Sequence, residues 1–168
     1  MHIALISDNH GYVGEDILQQ IADVDEVWHA GDIGSFESIE EIKSAKPLRA
    51  VFGNIDDHLM RAEYPLDMIW NCEGIKVYMT HIGGYPGKYY PRPHKVIREE
   101  RPNLFICGHS HICKVVPDKT YDLLHMNPGA YGFHGFHKVR TILKFEVNNA
   151  KIHNLRAVEL GLRGSGAG

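Results

Sequence analysis

Short apolar runs alternate with helix-patterned segments through the first two thirds of the chain, and most of the runs stop at a polar residue. Residues 2–7 read as a strand that is apolar on both faces, as a buried parallel strand is. Residues 14–22 follow, with Ile17, Leu18 and Ile21 on one helical face. A second strand reads over 26–30. Ser35 is placed to cap a helix carrying Phe36, Ile39 and Ile42 on one stripe, and Pro47 marks its end. Residues 48–52 make a third strand.

The pattern then changes. Residues 66–71 and 74–80 are apolar-rich around Glu73-Gly74 and predict a hairpin. The Gly/Tyr/Pro-rich segment 83–93 predicts a loop, from which Pro91 and Pro93 lead into a helix over 94–100, closed by Pro102. Another buried strand covers 104–107, and strands follow over 112–116, 121–126, 138–147 and 150–158, with Asn148-Asn149 as a turn. The final segment, 161–168, is rich in glycine and predicts a flexible tail. Strand–helix alternation followed by antiparallel strands predicts an α/β protein with two sheets packed together and helices outside. No repeat or linker divides it, so residues 1–160 are expected to form one domain.

Composition narrows the function classes. A net charge of −3 gives no bulk attraction to nucleic acid or anionic lipid. The N-terminus lacks a basic start and meets charge too early for a signal peptide, and no apolar stretch approaches the roughly 20 residues of a membrane span. A cytoplasmic protein is expected. Cys72, Cys107 and Cys113 show no paired spacing and read as buried, reduced thiols. The 12 histidines are too scattered for a tag, so position must single out those that matter.

Position does so. The run 3–7 is followed by Asp8-Asn9-His10, the run 27–31 by Asp32, the run 50–53 by Asn54, the run 77–80 by His81, and the run 104–108 by His109-Ser110-His111. Five strands each end by delivering a side chain able to bind metal. In α/β sheets, ligands gather outside the carboxyl ends of strands, and neighbouring strands lie only ~4.8 Å apart. In Asp8-x-His10 and His109-x-His111 the spacing of two predicts that both members point the same way if the backbone stays extended. Carboxylate, amide oxygen and imidazole without thiolate suit manganese, iron, zinc or nickel rather than a structural zinc centre. Seven such groups exceed the needs of one ion and suit two.

This ordered set resembles the calcineurin-like metallophosphoesterase superfamily, and within it the small YfcE-type phosphodiesterases. The likeness covers nearly the whole chain, through Asp8-Asn9-His10-Gly11, Gly31-Asp32, Gly53-Asn54-Ile55-Asp56, Thr80-His81, Gly108-His109-Ser110-His111 and Asn127-Pro128-Gly129. It implies a four-layer α/β/β/α sandwich. It also implies Asp8, His10 and His111 on one ion, Asn54, His81 and His109 on the other, and Asp32 bridging. Two divalent ions, manganese first and nickel, iron or zinc as substitutes, would activate a bridging hydroxide for in-line attack on phosphorus. Asn127 is expected to support the site rather than ligate.

One departure stands out. Many members have a histidine after the asparagine that helps protonate the leaving group; here it is Ile55, and YfcE-type relatives also lack it. Weak general-acid assistance and a preference for acidic leaving groups follow. Asp56 and His58 are the candidates for a catalytic role, Asp56 to orient a ligand or a water and His58 as the general acid, each against an ordinary loop position. His29 reads as a hydrogen-bonded core residue, while His134 and His137 either line the pocket or belong to a turn. Tyr85 and Lys88 are candidates to bind a small organic phosphodiester, against a plain surface loop. A phosphomonoesterase is the nearest alternative, and a non-catalytic scaffold of the retromer-subunit type is the rival from another class. No nucleic acid or membrane partner is expected; relatives form homo-oligomers.

Overall fold

The computed structural model describes residues 1–166. The chain runs β1 (His2–Ile6), α1 (Glu15–Ile21), β2 (Glu26–His29), α2 (Phe36–Ala45), β3 (Leu48–Ala50) and α3 (His58–Glu63). It continues through β4 (Asp67–Cys72), β5 (Ile75–Thr80), β6 (Gly84–Tyr85), β7 (Lys88–Tyr89), α4 (Pro91–Glu100) and β8 (Leu104–Ile106). Four further strands follow, β9 (Cys113–Asp118), β10 (Leu123–Pro128), β11 (Val139–Asn148) and β12 (Lys151–Leu162).

Two five-stranded sheets result. The first has the order β12-β11-β1-β2-β3, with β1, β2 and β3 parallel and β11 antiparallel to β1. The second has the order β4-β5-β8-β10-β9, with β5, β8 and β10 parallel. Strand alternation, with both faces covered, explains why β1 is apolar from Ile3 to Ile6. Ile3 and Leu5 face the second sheet and join Trp28, Val77, Met79 and Ile106 in a core between the sheets. Ala4 and Ile6 face the other way and meet Ile17 and Ile21 of α1 and Ile42 of α2. On the far side, Tyr78 and Phe105 of the second sheet cover Ile97 of α4. The layers are therefore helices, sheet, sheet, helix, as expected.

Some boundaries differ from expectation. Helix α3 was not read from the sequence; Asp57 nucleates it by accepting hydrogen bonds from the backbone N–H groups of Leu59 and Met60. The segment expected to be loop contains the β6–β7 hairpin, and α4 starts at Pro91, three residues early, because proline suits the first helical position. The expected tail is also corrected. β12 continues to Leu162 and closes in a 3-10 turn at Arg163–Gly166, where the Arg163 N–H donates to the Lys138 carbonyl at 3.0 Å and its Nε to that of His137 at 2.9 Å. The last two tail positions lie outside the described residues. Among the described residues, no helix is long and apolar enough to cross a membrane.

Candidate metal centre

The carboxyl ends of the parallel strands of both sheets open on the same side, and there the seven expected residues meet. Asp8, His10, Asp32 and His111 form one group, and Asp32, His81 and His109 a second; within each group, one ligand-competent atom per residue lies within 4.8 Å of the others. Asp32 belongs to both. Asn54 joins the second group through Oδ1, 3.1 Å from His81 Nε2. His109 and Asn54 are exposed while Asp8, Asp32 and His81 are buried, so the cluster has a closed floor and an open mouth.

The backbone departs from extended geometry to achieve this. Asp8, His10, Asp32, His109 and His111 have φ of 57, 48, 55, 69 and 58°, all left-handed. Such a conformation costs a non-glycine residue about 1–2 kcal/mol, and it persists where surroundings enforce it. It also limits the reading that residues two apart point alike: Asp8 and His10 share a group, but His109 and His111 turn into different ones. The turns need space. A Cβ on Gly53 would lie 2.1 Å from Asp32 Oδ1, and one on Gly108 2.1 Å from Ser7 Oγ, so both positions exclude larger residues.

Hydrogen bonds leave the cluster short of positive charge. His81 Nδ1 lies 2.7 Å from the Ala30 carbonyl, to which it donates, so Nε2 faces Asp32 Oδ1 at 3.2 Å and Asn54 Oδ1 at 3.1 Å. Two oxygens facing one imidazole nitrogen are satisfied only by a proton on that nitrogen or by a cation among them. Asp8 Oδ2 accepts from Ser7 Oγ at 2.5 Å and the His109 N–H at 3.1 Å, while Asp8 Oδ1 and His10 Nε2 are buried without a hydrogen bond and face His111 Nε2 at 3.1 Å and Asp32 Oδ2 at 3.8 Å respectively. Burial works against charge on His81, yet the Asp32 and Asp8 carboxylates raise its pKa; His10 and His109 are lowered, chiefly by burial. Asp32 is held below the usual carboxylate range, since the His81 hydrogen bond and charge outweigh its desolvation. Donor types, the buried ligand-type atoms that make no hydrogen bond and the shared carboxylate all fit divalent cations.

The remaining candidates fall into three groups. Asp56 is buried, and its carboxylate accepts from the backbone N–H groups of Ile33 at 3.2 Å, Gly34 at 2.8 Å and Gly53 at 2.7 Å. Its oxygens are thus committed to tying the Asp32 turn to the Asn54 turn, and so to orienting the residues those turns carry. His58 is exposed at the start of α3 and exchanges no hydrogen bond or ion pair with the cluster. His29 is buried, paired with Asn9 Oδ1 at 2.8 Å, and its pKa is pushed down to about 3 by burial. His134 and His137 do reach the cluster rim, with ring centroids 4.6 Å from His10 and 5.2 Å from His111 respectively. Asn127 supports the site by donating Nδ2 to the Gly108 carbonyl at 2.8 Å and to Ser110 Oγ at 3.1 Å. Of the cysteines, Cys72 and Cys107 are buried and Cys113 is partly so, all as free thiols. Tyr85 and Lys88 line a hollow of about 470 Å³ that reaches His109.

Two supports escaped the sequence reading. Arg61 donates to the carbonyls of Asp56 at 2.8 Å and Asn54 at 3.0 Å, pinning the Asn54 turn. Its place seven residues on, within an unread helix, hid it. Lys114 lies with its ammonium 4.3 Å from the Tyr85 ring centroid, a pairing between distant segments that no local spacing signals.

A two-sheet α/β sandwich with a shared-carboxylate histidine cluster at its strand ends defines the class of metal-centre hydrolase folds. The calcineurin-like phosphoesterase superfamily domain matches residues 1–150, and the chain belongs to that family. A probable metallophosphoesterase of Methanothermobacter thermautotrophicus is 27% identical over 135 residues, covering 77% of each chain. Among solved structures, wild-type Vps29 of Entamoeba histolytica complexed with zinc is similar at a TM-score of 0.73 and 14% identity, covering 96% of this chain and 100% of that one. A novel archaeal phosphodiesterase is similar at a TM-score of 0.67 and 19% identity, covering 95% and 99%. At such identities these two structures speak for the fold.

Proposed function

We propose that this phosphoesterase-family protein is a dinuclear-metal phosphodiesterase acting on small organic diesters. The observation that carries the proposal is Asp32, whose carboxylate is common to two groups of metal-competent side chains, one of them with ligand-type atoms of Asp8 and His10 buried without a hydrogen bond. Asp8, His10 and His111 would hold one ion, Asn54, His81 and His109 the other, with Asp32 between them. When bound, such a pair supplies Lewis acidity and acidifies water near neutral pH.

The chain's own residues do the rest. Ser7, Ala30, Asp56 and Arg61 fix the ligand-bearing turns, so the phosphoryl group meets a prearranged site. Exposure of His109 and Asn54 leaves the second group open to approach, beside the half-buried His10 and His111 of the first. Ile55 stands at the mouth, its N–H donating to Asp32 Oδ1 at 3.1 Å and its side chain 45% exposed. It carries no proton to give, so the departing alcohol leaves as its anion, which favours acidic leaving groups.

Hydrolysis of bis(p-nitrophenyl) phosphate with and without added Mn²⁺ tests this reading, with p-nitrophenyl phosphate in parallel for the monoesterase alternative. Metal-dependent turnover of the diester is expected, removed by chelation. Silence with manganese, nickel, cobalt and zinc alike would sink it in favour of a non-catalytic scaffold.

A further inference from the structure

The hollow beside His109 has a chemistry of its own, distinct from that of the metal centre. It encloses about 470 Å³, within the range of small-molecule sites, and runs from His109 and Ser110 to the β6–β7 hairpin. The hairpin is locally determined: Tyr85-Pro86-Gly87-Lys88 has proline then a glycine at φ 84°, as a type II turn requires. It is also anchored, for Tyr89 Oη donates to Asp118 at 2.7 Å and the Gly84 carbonyl lies 3.1 Å from His125 Nε2. Its wall therefore keeps its shape.

That wall is aromatic and cationic. Tyr85, Tyr90 and Ile112 leave 41%, 52% and 61% of their surface exposed and give the hollow apolar faces beside its cations. Lys114 is held over the Tyr85 ring, and among the described residues neither Lys114 nor Lys88 forms an ion pair. A flat ring can lie against Tyr85 and Tyr90, and a carbonyl oxygen on that ring can accept from Lys114. Methyl or glyceryl groups would leave these surfaces uncovered.

Resting on the phosphodiesterase reading, we infer that this hollow binds the retained ester arm of the substrate, and that the arm is an aromatic ring of nucleoside size bearing a carbonyl group. Tyr85 then selects for the ring and Lys114 for its carbonyl.

The test holds the leaving group constant. The Mn²⁺-loaded full chain is assayed on p-nitrophenyl diesters of phosphate whose second arm is methyl, phenyl or thymidine 5′-yl. The kcat/KM is expected to rise by about tenfold or more from methyl to thymidine, the scale of one ring stacked on an aromatic side chain. Tyr85→Ala should collapse the phenyl-to-methyl ratio toward one, with Tyr90→Ala as the second variant if the first fails to fold. Lys114→Met should erase the advantage of thymidine over phenyl. Equal rates across the three arms, or ratios untouched by these substitutions, would overturn the inference. If no ester is cleaved, the phosphodiesterase reading falls separately. Calorimetry with thymidine 5′-monophosphate on metal-free protein then judges the hollow, supporting it if Tyr85→Ala weakens binding severalfold and overturning it if native protein does not bind.

Discussion

Asp32 carries more of the proposed chemistry than any other residue, because its two oxygens face both halves of the cluster. Asp32→Asn keeps the size and removes the charge. Loss of metal-dependent diesterase activity by more than about a hundredfold is expected, with weaker manganese uptake by calorimetry. Ile55 offers the opposite experiment. Ile55→His puts a proton carrier at the mouth of the site, and should raise turnover of diesters with poorly acidic leaving groups relative to p-nitrophenyl esters. A Brønsted plot against leaving-group pKa reads this as a shallower slope; an unchanged slope would remove Ile55 from the account. Gly108 tests packing at the same scale. The added methyl of Gly108→Ala would meet Ser7 and Asp8, and a stability loss of about 1–3 kcal/mol by urea titration is expected, with weakened metal binding.

At the scale of elements, the strands deliver the site and the short connections aim it. β1 was readable as a buried strand because its apolar run is unbroken, and the polar residues that follow marked where the core ends. Helix α3 was not readable: six residues give fewer than two turns of pattern, and only its cap, Asp57, speaks for it. Asp57→Ala should therefore cost about 1 kcal/mol, measured by denaturant unfolding. Because Arg61 of α3 pins the Asn54 turn, the same substitution should also weaken metal binding, although Asp57 is no part of the cluster. The β6–β7 hairpin adds to this, since its turn is set locally by Pro86 and Gly87 while its place on the rim is held by Asp118 and His125.

For the whole molecule, buried histidines link stability to pH. Burial holds His29 near a pKa of about 3 and, as the largest cause, His125 near about 4, while both return to about 6.5 when the chain unfolds. The unfolded chain thus binds more protons below about pH 6.5, and native stability must fall with pH through that window, by at most about 1.4 kcal/mol per unit for each group. The loss from each levels off once the native histidine also protonates. His10, His109 and His137, lowered chiefly by burial, act in the same sense; His81, raised by its carboxylate neighbours despite burial, acts against it. Urea midpoints of metal-free protein should drop between pH 7 and pH 4.5. Saturating manganese should raise the melting temperature near neutral pH, and acid should abolish that gain as the ligand histidines protonate.

The chain alone determined the layers and the identity of the cluster residues. Hydrophobic periodicity is local, and a strand that ends in a ligand-type side chain displays both facts within a few neighbouring positions. The family resemblance implied how those residues divide; tertiary structure decided how the division is achieved and what supports it. His109 and His111 part because left-handed backbone angles turn them, and those angles are enforced by contacts such as Asp8 with the His109 N–H, across a hundred residues of sequence. Asp56 proved to be a brace, since its carboxylate is taken up by three backbone N–H groups from two turns. Lys114 and Tyr85 meet only because β9 and the β6–β7 hairpin share one rim. Residues distant in sequence come together through packing, and spacing along the chain carries no record of that distance.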